Sequence, residues 1–190
     1  LAVMTVALLM ILSLPALAQS FSRREVSQTP YDTYMGAFRS VAERGPGTGL
    51  LTVAAVKDLT EQAYDFRYDH IEAYQARSPE EVESTGRGDC KDKAVWLYAK
   101  LAAAGARDIQ LVIGKSDSRS QDFHAWLYLT LSGRTYLLDP TLSGSVCEAS
   151  DFGIDEYIPV YSYDRNGAYV YETTGTGPIF ATGYETPMPS

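Results

Sequence analysis

Cys90 lies in the run Gly86-Arg87-Gly88-Asp89-Cys90-Lys91-Asp92-Lys93, where a glycine-containing turn gives way to apolar residues at helical spacing. A cysteine at such a junction has the makings of a nucleophile. The first turn of a helix carries backbone N–H groups without intrahelical acceptors and a partial positive charge, and both favour thiolate over thiol. The helix end alone contributes only about 0.3 to 1 kcal/mol at ordinary exposure. Asp89, Lys91, Asp92 and Lys93 cancel in formal charge, so a neighbouring base must supply most of the activation.

The chain has 2 histidines, His70 and His124, and 2 cysteines, Cys90 and Cys147. His124 falls in a run, residues 123–131, in which Phe123, Ala125, Leu127, Leu129 and Leu131 alternate with His124, Trp126, Tyr128 and Thr130. This is strand periodicity, with the leucine face toward a core. Residues 134–139 form a second strand candidate. If Ser132-Gly133 is a hairpin turn, Leu131 pairs with Arg134, Leu129 with Tyr136 and Leu127 with Leu138, and Trp126 faces Asp139. A four-residue loop over 131–134 keeps the same register. His124 and Asp139 then become diagonal neighbours on one face, roughly 7 to 8 Å apart along the backbone and within reach of a side-chain hydrogen bond. Cys90 as nucleophile, His124 as base and Asp139 as the group that orients the base form a Cys-His-Asp system.

Each of these residues also has a plainer reading. His124 would be a half-buried strand histidine beside Trp126, Asp139-Pro140-Thr141 a turn, and Cys90 one half of a disulfide with Cys147, which lies in the loop 143–150. His70 follows Asp69 in a polar stretch read as helical and is the alternative base. Two cysteines and two histidines without ligand spacing give no structural zinc site, and no cofactor or metal ligand is assigned.

Several elements must position this chemistry. Tyr31, Tyr34, Met35, Phe38 and Val41 give helical spacing over 31–42, the glycine-rich stretch 45–49 reads as a loop, and a second helix is expected over about 50–64. Ser78-Pro79-Glu80-Glu81 is a capping box that opens a short helix ending near Gly86. Asp89 is the expected N-cap of the cysteine helix, with Ala94, Leu97, Tyr98 and Leu101 on one face and Gly105 as its stop. Strands are expected over 109–113, 158–163 and 168–172, the last two flanking the hairpin signal Asp164-Arg165-Asn166-Gly167. The loop 115–122, rich in Ser and Asp, either borders a substrate cleft or is an ordinary solvated hairpin loop.

With 190 residues, 45% hydrophobic and 12% aromatic, the chain can bury one core, expected over residues 19–172 and followed by an irregular tail at 173–190. Residues 1–18 form an uncharged apolar run ending in Ala16-Leu17-Ala18, a signal-peptide pattern that implies export to the periplasm or secretion. An uncleaved membrane anchor is the alternative, though Ser13 and Pro15 interrupt the run and leave it marginal for spanning; after cleavage no stable membrane insertion is expected. A net charge of −8 argues against nucleic acid as a partner and leaves a polypeptide substrate, a cell-envelope protein among the candidates.

The ordered set Gly88-Asp89-Cys90, Phe123-His124-Ala125-Trp126 and Leu138-Asp139-Pro140-Thr141 resembles the transglutaminase-like superfamily. The Ser78-Pro79-Glu80-Glu81 segment together with 86–92 looks most like the bacterial transglutaminase-like cysteine proteases. The resemblance covers residues 60–165 and implies a papain-like α+β fold, with N-terminal helices and a nucleophile helix packed on an antiparallel sheet. It implies Cys90 as nucleophile, His124 as general base and acid, and Asp139 as orienter. Adhesin-cleaving members of that group bind calcium through acidic residues beside the cysteine; here Lys91 stands where they carry Glu. The function expected is an exported thiol peptidase or amidase working through a thioester. Acyl transfer to an amine, as in a transglutaminase, is the alternative. So is a non-catalytic binding module presenting Tyr161, Tyr163, Tyr169 and Tyr171.

Overall fold

The computed structural model describes residues 20–70 and 75–174; the expected signal peptide and residues 175–190 of the expected tail lie outside them. In chain order the elements are β1 (Ser20–Val26), α1 (Gly36–Ala42), α2 (Val53–Asp65), β2 (Arg67–Tyr68), α3 (Pro79–Thr85), β3 (Arg87–Gly88) and α4 (Cys90–Ala103). They continue with β4 (Asp108–Asp117), β5 (His124–Leu131), β6 (Arg134–Leu138), β7 (Val146–Glu148), β8 (Glu156–Tyr163) and β9 (Ala168–Thr174).

Side-chain caps set the helix starts. Thr52 Oγ1 accepts the Ala55 N–H at 3.2 Å and opens α2. At α3 the Ser78 hydroxyl accepts the Glu81 N–H at 3.2 Å while Glu81 accepts the Ser78 N–H at 2.7 Å, the expected capping box. The expected helix over 31–42 is instead a 3-10 turn, Asp32–Tyr34, followed by α1. Its first turn is tied to the sheet, because Tyr163 donates to Asp32 Oδ1 at 3.0 Å and pairs with the Thr29 hydroxyl. The glycine-rich stretch before α2 is a loop used for close packing. The Gly47 N–H donates to the Ala102 carbonyl at 2.8 Å, and a Cβ there would lie 2.1 Å from the Ala103 oxygen.

Helix α4 is the centre of the molecule. It packs against α1, α2 and α3 on one side and β4 and β5 on the other. Ala94, Leu97, Tyr98 and Leu101 are buried as expected, but so are Val95, Trp96 and Ala102, because neighbours surround the helix. The seven strands of the main sheet run in the order β1-β9-β8-β4-β5-β6-β7, every neighbour antiparallel. Strands β2 and β3 form a separate parallel pair, Tyr68 opposite Gly88.

The β5–β6 register is the expected one, with Leu131 opposite Arg134, Leu129 opposite Tyr136 and Leu127 opposite Leu138. Ser132 (φ +53) and Gly133 (φ +78) form the two-residue turn between the strands. Ala125, Leu127 and Leu129 face the helices. The opposite face is also covered near Trp126, which sits with Val112 and Leu137 in a smaller cluster packed by Tyr128, Phe152, Tyr157 and Tyr171. The segment 143–150 contains β7, and β9 runs two residues past the expected start of the tail, because Thr173 and Thr174 pair with Phe21 and Ser20 of β1. His70 follows β2 in an exposed, non-helical segment, not the expected helical one, because α2 stops at Asp65.

Gly114 joins this fold to the site. It lies at a register shift between β4 and β8, and a Cβ there would sit 2.1 Å from the Ile158 oxygen and 2.7 Å from the Trp126 ring. A backbone oxygen cannot swing aside as a side chain does. Gly114→Ala is therefore expected to lower stability by about 3 kcal/mol, read as a lower midpoint in urea with an unchanged slope.

Candidate active site

The helix start places the first member of the site. Asp89 Oδ1 accepts the N–H groups of Lys91 and Asp92 at 3.1 and 3.3 Å, and Asp92 Oδ2 accepts the Asp89 N–H at 3.1 Å. This reciprocal box ends the extended backbone and begins the helix at Cys90. Cys90 is half-buried and its thiol is free, as is that of Cys147 on β7, so the two form no disulfide.

The hairpin places the other two. His124 opens β5 opposite Gly114 of β4, and Asp139 lies one residue beyond β6. Their side chains meet as the register requires, His124 Nε2 lying 2.7 Å from Asp139 Oδ2. The carboxylate is fully buried and the imidazole side chain is 11% exposed. With Nε2–H directed at the carboxylate, Nδ1 remains as the acceptor, and Cys90 lies close enough to act on the same imidazole electrostatically. Sequence position separates these groups widely; one helix and one hairpin bring them together.

Burial lowers the basicity of His124, but the bond it donates to Asp139 and its interactions with the charges of Asp139 and Cys90 outweigh that and push its pKa up to about 9. Burial raises Asp139, and the bond to His124 together with the backbone N–H groups of Leu142 and Thr141 overrides it and holds the carboxyl below its ordinary value. Those two amides reach Asp139 Oδ1 at 3.0 and 2.8 Å. Lys93, one turn beyond Cys90, is buried with its ammonium 2.9 Å from the Tyr64 carbonyl. Burial depresses its pKa, and the charges of Asp139 and Asp65 oppose that.

Two side chains in the site escaped the sequence reading. Tyr157 donates to Asp139 Oδ2 at 3.0 Å. Tyr68 is 52% exposed on β2, opposite Gly88 just before the cysteine helix; burial, then the charges of Cys90, Asp89, Asp92 and Asp122, raise the pKa of its phenol. Neither carries a local signal: Tyr157 lies just outside the strand expected at 158–163, and Tyr68 in a stretch read as polar. Only the long-range pairings β4–β8 and β2–β3 bring them in. His70 has no part in the hydrogen bond that joins His124 and Asp139.

The acidic residues beside Cys90 are already paired. The Lys91 ammonium is held by Asp89, while Arg77 donates its backbone N–H to Asp92 at 2.9 Å and its guanidinium to Asp69 at 3.1 Å and lies 3.7 Å from Asp92 Oδ2. Among the described residues no group of three or more His, Cys, Asp or Glu is arranged to hold a metal ion.

The architecture around this site is an α+β fold in which a central helix packs on an antiparallel sheet, and it is shared with solved structures of LapG. Among solved structures, calcium-bound LapG of Legionella pneumophila matches with a TM-score of 0.55 and 22% identity over 80% of this chain and 86% of that one. A second LapG structure from Legionella pneumophila matches with a TM-score of 0.52 and 20% identity over 75% of this chain and 79% of that one. Identity at this level establishes a shared fold. No protein-family model matches the chain, and no curated protein does.

Proposed function

We propose that the chain is a thiol hydrolase that cleaves peptide or amide bonds with Cys90 as nucleophile, His124 as general base and acid, and Asp139 as orienter. The observation that carries this reading is the buried 2.7 Å His124–Asp139 bond, with Cys90 at a helix start bearing electrostatically on the same imidazole. His124 takes the Cys90 proton, and the thiolate adds to the substrate carbonyl as its π electrons move to oxygen. The Cys90 N–H, free of an intrahelical acceptor, is the candidate donor to that oxyanion. Collapse expels the amine, which receives its proton from His124 and leaves a thioester. Water, deprotonated by His124, attacks the thioester and releases the acid and the thiol. Asp139 keeps the proton of neutral imidazole on Nε2 and stabilises the imidazolium formed in each half-reaction.

The protein acts on polypeptides outside the cytoplasm, the apolar start of the chain serving as export signal. No helix among the described residues is long and apolar enough to cross a membrane. One LapG structure is calcium-bound; here Lys91 and Arg77 take the carboxylates that such an ion would need, and the residues present do not fit a calcium site. Activity is accordingly expected to be unchanged by EGTA or added calcium, checked as initial rates in both. Loss of activity in EGTA, restored by calcium, would contradict this.

Mass spectrometry after incubation with envelope extract tests the reaction. A thioester adduct on Cys90, absent from Cys90→Ser and discharged to a free acid, supports hydrolysis. Discharge only to an added amine would make the chain an acyltransferase, and adducts on Cys147 would overturn the assignment.

A further inference from the structure

Resting on the thiol-hydrolase reading, we propose that Tyr157 is a positioning residue of the same site. Its hydroxyl fixes the Asp139 carboxylate and, by sharing Oδ2 with His124, holds the imidazole less basic than an unshared carboxylate would make it. The geometry of Asp139 carries this. Oδ1 accepts two backbone N–H groups, from Thr141 at 2.8 Å and Leu142 at 3.0 Å, and Oδ2 accepts His124 at 2.7 Å and Tyr157 at 3.0 Å. Two of the four donors are backbone amides and a third is the base, so only Tyr157 can be removed without touching the backbone or the base. A second donor on Oδ2 draws electron density from the oxygen that faces the imidazolium and weakens its pull on the proton.

The backbone at Tyr157 gives an independent reason. Its φ is +47, a conformation that bulky residues rarely adopt and that persists only where the surroundings over-determine it. The surroundings here are the site itself. Phe152 meets the Tyr157 ring edge-on at 4.9 Å, Trp126 does so at 5.4 Å, and Trp126 in turn stacks on His124 at 6.1 Å. The phenol stays a donor across the working range, because burial and then the Asp139 charge push its pKa up.

The groups that face this cluster are Cys90 and Lys93 from α4, His124 from β5, Cys147 from β7 and Glu156 from β8. None of the others donates to Oδ2. The effect sought is therefore specific to the Tyr157 hydroxyl.

The test is titration of the two histidines by NMR in the full chain, with exposed His70 as internal reference, beside the pH profile of kcat/KM. In Tyr157→Phe the His124 titration and the alkaline limb are expected to move upward together while His70 stays fixed. The rate kcat should fall about 10-fold, as for other orienting partners, with KM unchanged. 3-Fluorotyrosine in place of Tyr157 keeps the ring and strengthens the donor, so it covers the case of a Phe variant that folds poorly; it should move the His124 titration downward. A His124 titration that responds to neither change overturns the proposal and leaves the thiol reading intact. Activity that survives Cys90→Ser overturns the thiol reading whatever Tyr157 does.

Discussion

Replacing Cys90 by serine is expected to lower kcat/KM for peptide cleavage by about 10⁴-fold or more, the scale seen when a nucleophile is taken from a triad. A serine hydroxyl at the same helix start is far less acidic than the thiol that His124 is proposed to deprotonate. The fold should survive, since Cys90 is half-buried and its backbone is fixed by Asp89 and Asp92. Cleavage of a fluorogenic peptide library, with melting curves alongside, checks this. Cys147→Ser should keep the wild-type rate, because Cys147 sits on the edge strand β7 opposite Leu137. Equal losses in the two variants would mean that the thiol at the helix start has no special role.

The second large effect is on stability. Asp139→Ala strands four donors: two backbone amides, the His124 imidazole and the Tyr157 hydroxyl. Breaking a buried, hydrogen-bonded charge pair from one side costs about 3 to 5 kcal/mol. The loss depends on pH in a defined way. His124 is raised from 6.5 to about 9 in the folded protein, so its contribution is complete below 6.5 and fades as pH rises through 9. The Asp139 carboxyl is held below its ordinary 3.8, so its contribution is present above that value and is lost as pH falls through the lower folded one. The gap in unfolding free energy between wild type and Asp139→Ala is expected to be widest between these two ranges and to narrow on the alkaline side. Denaturant melts at several pH values measure it. A gap that widens with alkalinity would show that the imidazole is not the carboxylate's partner in the folded state.

Both effects were legible in the sequence to the extent that local rules reach. Two residues, Ser132 and Gly133, determine the hairpin register, and a strand period of two then leaves one face for His124 and Asp139. Asp89 followed by Asp92 is a capping pattern, so the helix start at Cys90 was readable as well. Where positions depend on distant partners the sequence is silent. Strand β1 reads as the polar run 20–26 and takes its place from β9. Strand β7 has three residues, too few for any period, and is recruited by β6. Tyr157 sits in a strained conformation that no propensity predicts, placed by the ladder between β4 and β8. The charge cancellation around Cys90 was visible as composition, but its meaning appears only in the pairs: Lys91 with Asp89, and Arg77 with Asp92 and Asp69.

The fold assigns the parts of this chemistry to different elements. The central helix α4 opens on Cys90, the proposed nucleophile, the β5–β6 hairpin brings His124 to Asp139, the proposed base and orienter, and the start of β8 supplies the Tyr157 hydroxyl to Asp139. The central claim is that His124 activates Cys90. The rate of iodoacetamide labelling of Cys90 at mildly acidic pH, by peptide mapping of wild type and His124→Ala, addresses it most directly, because only the thiolate reacts. The account predicts fast labelling of Cys90 in the wild type and slow labelling of Cys147, with Cys90 in the variant falling to the Cys147 rate. Equal, slow labelling of Cys90 in both proteins would contradict it.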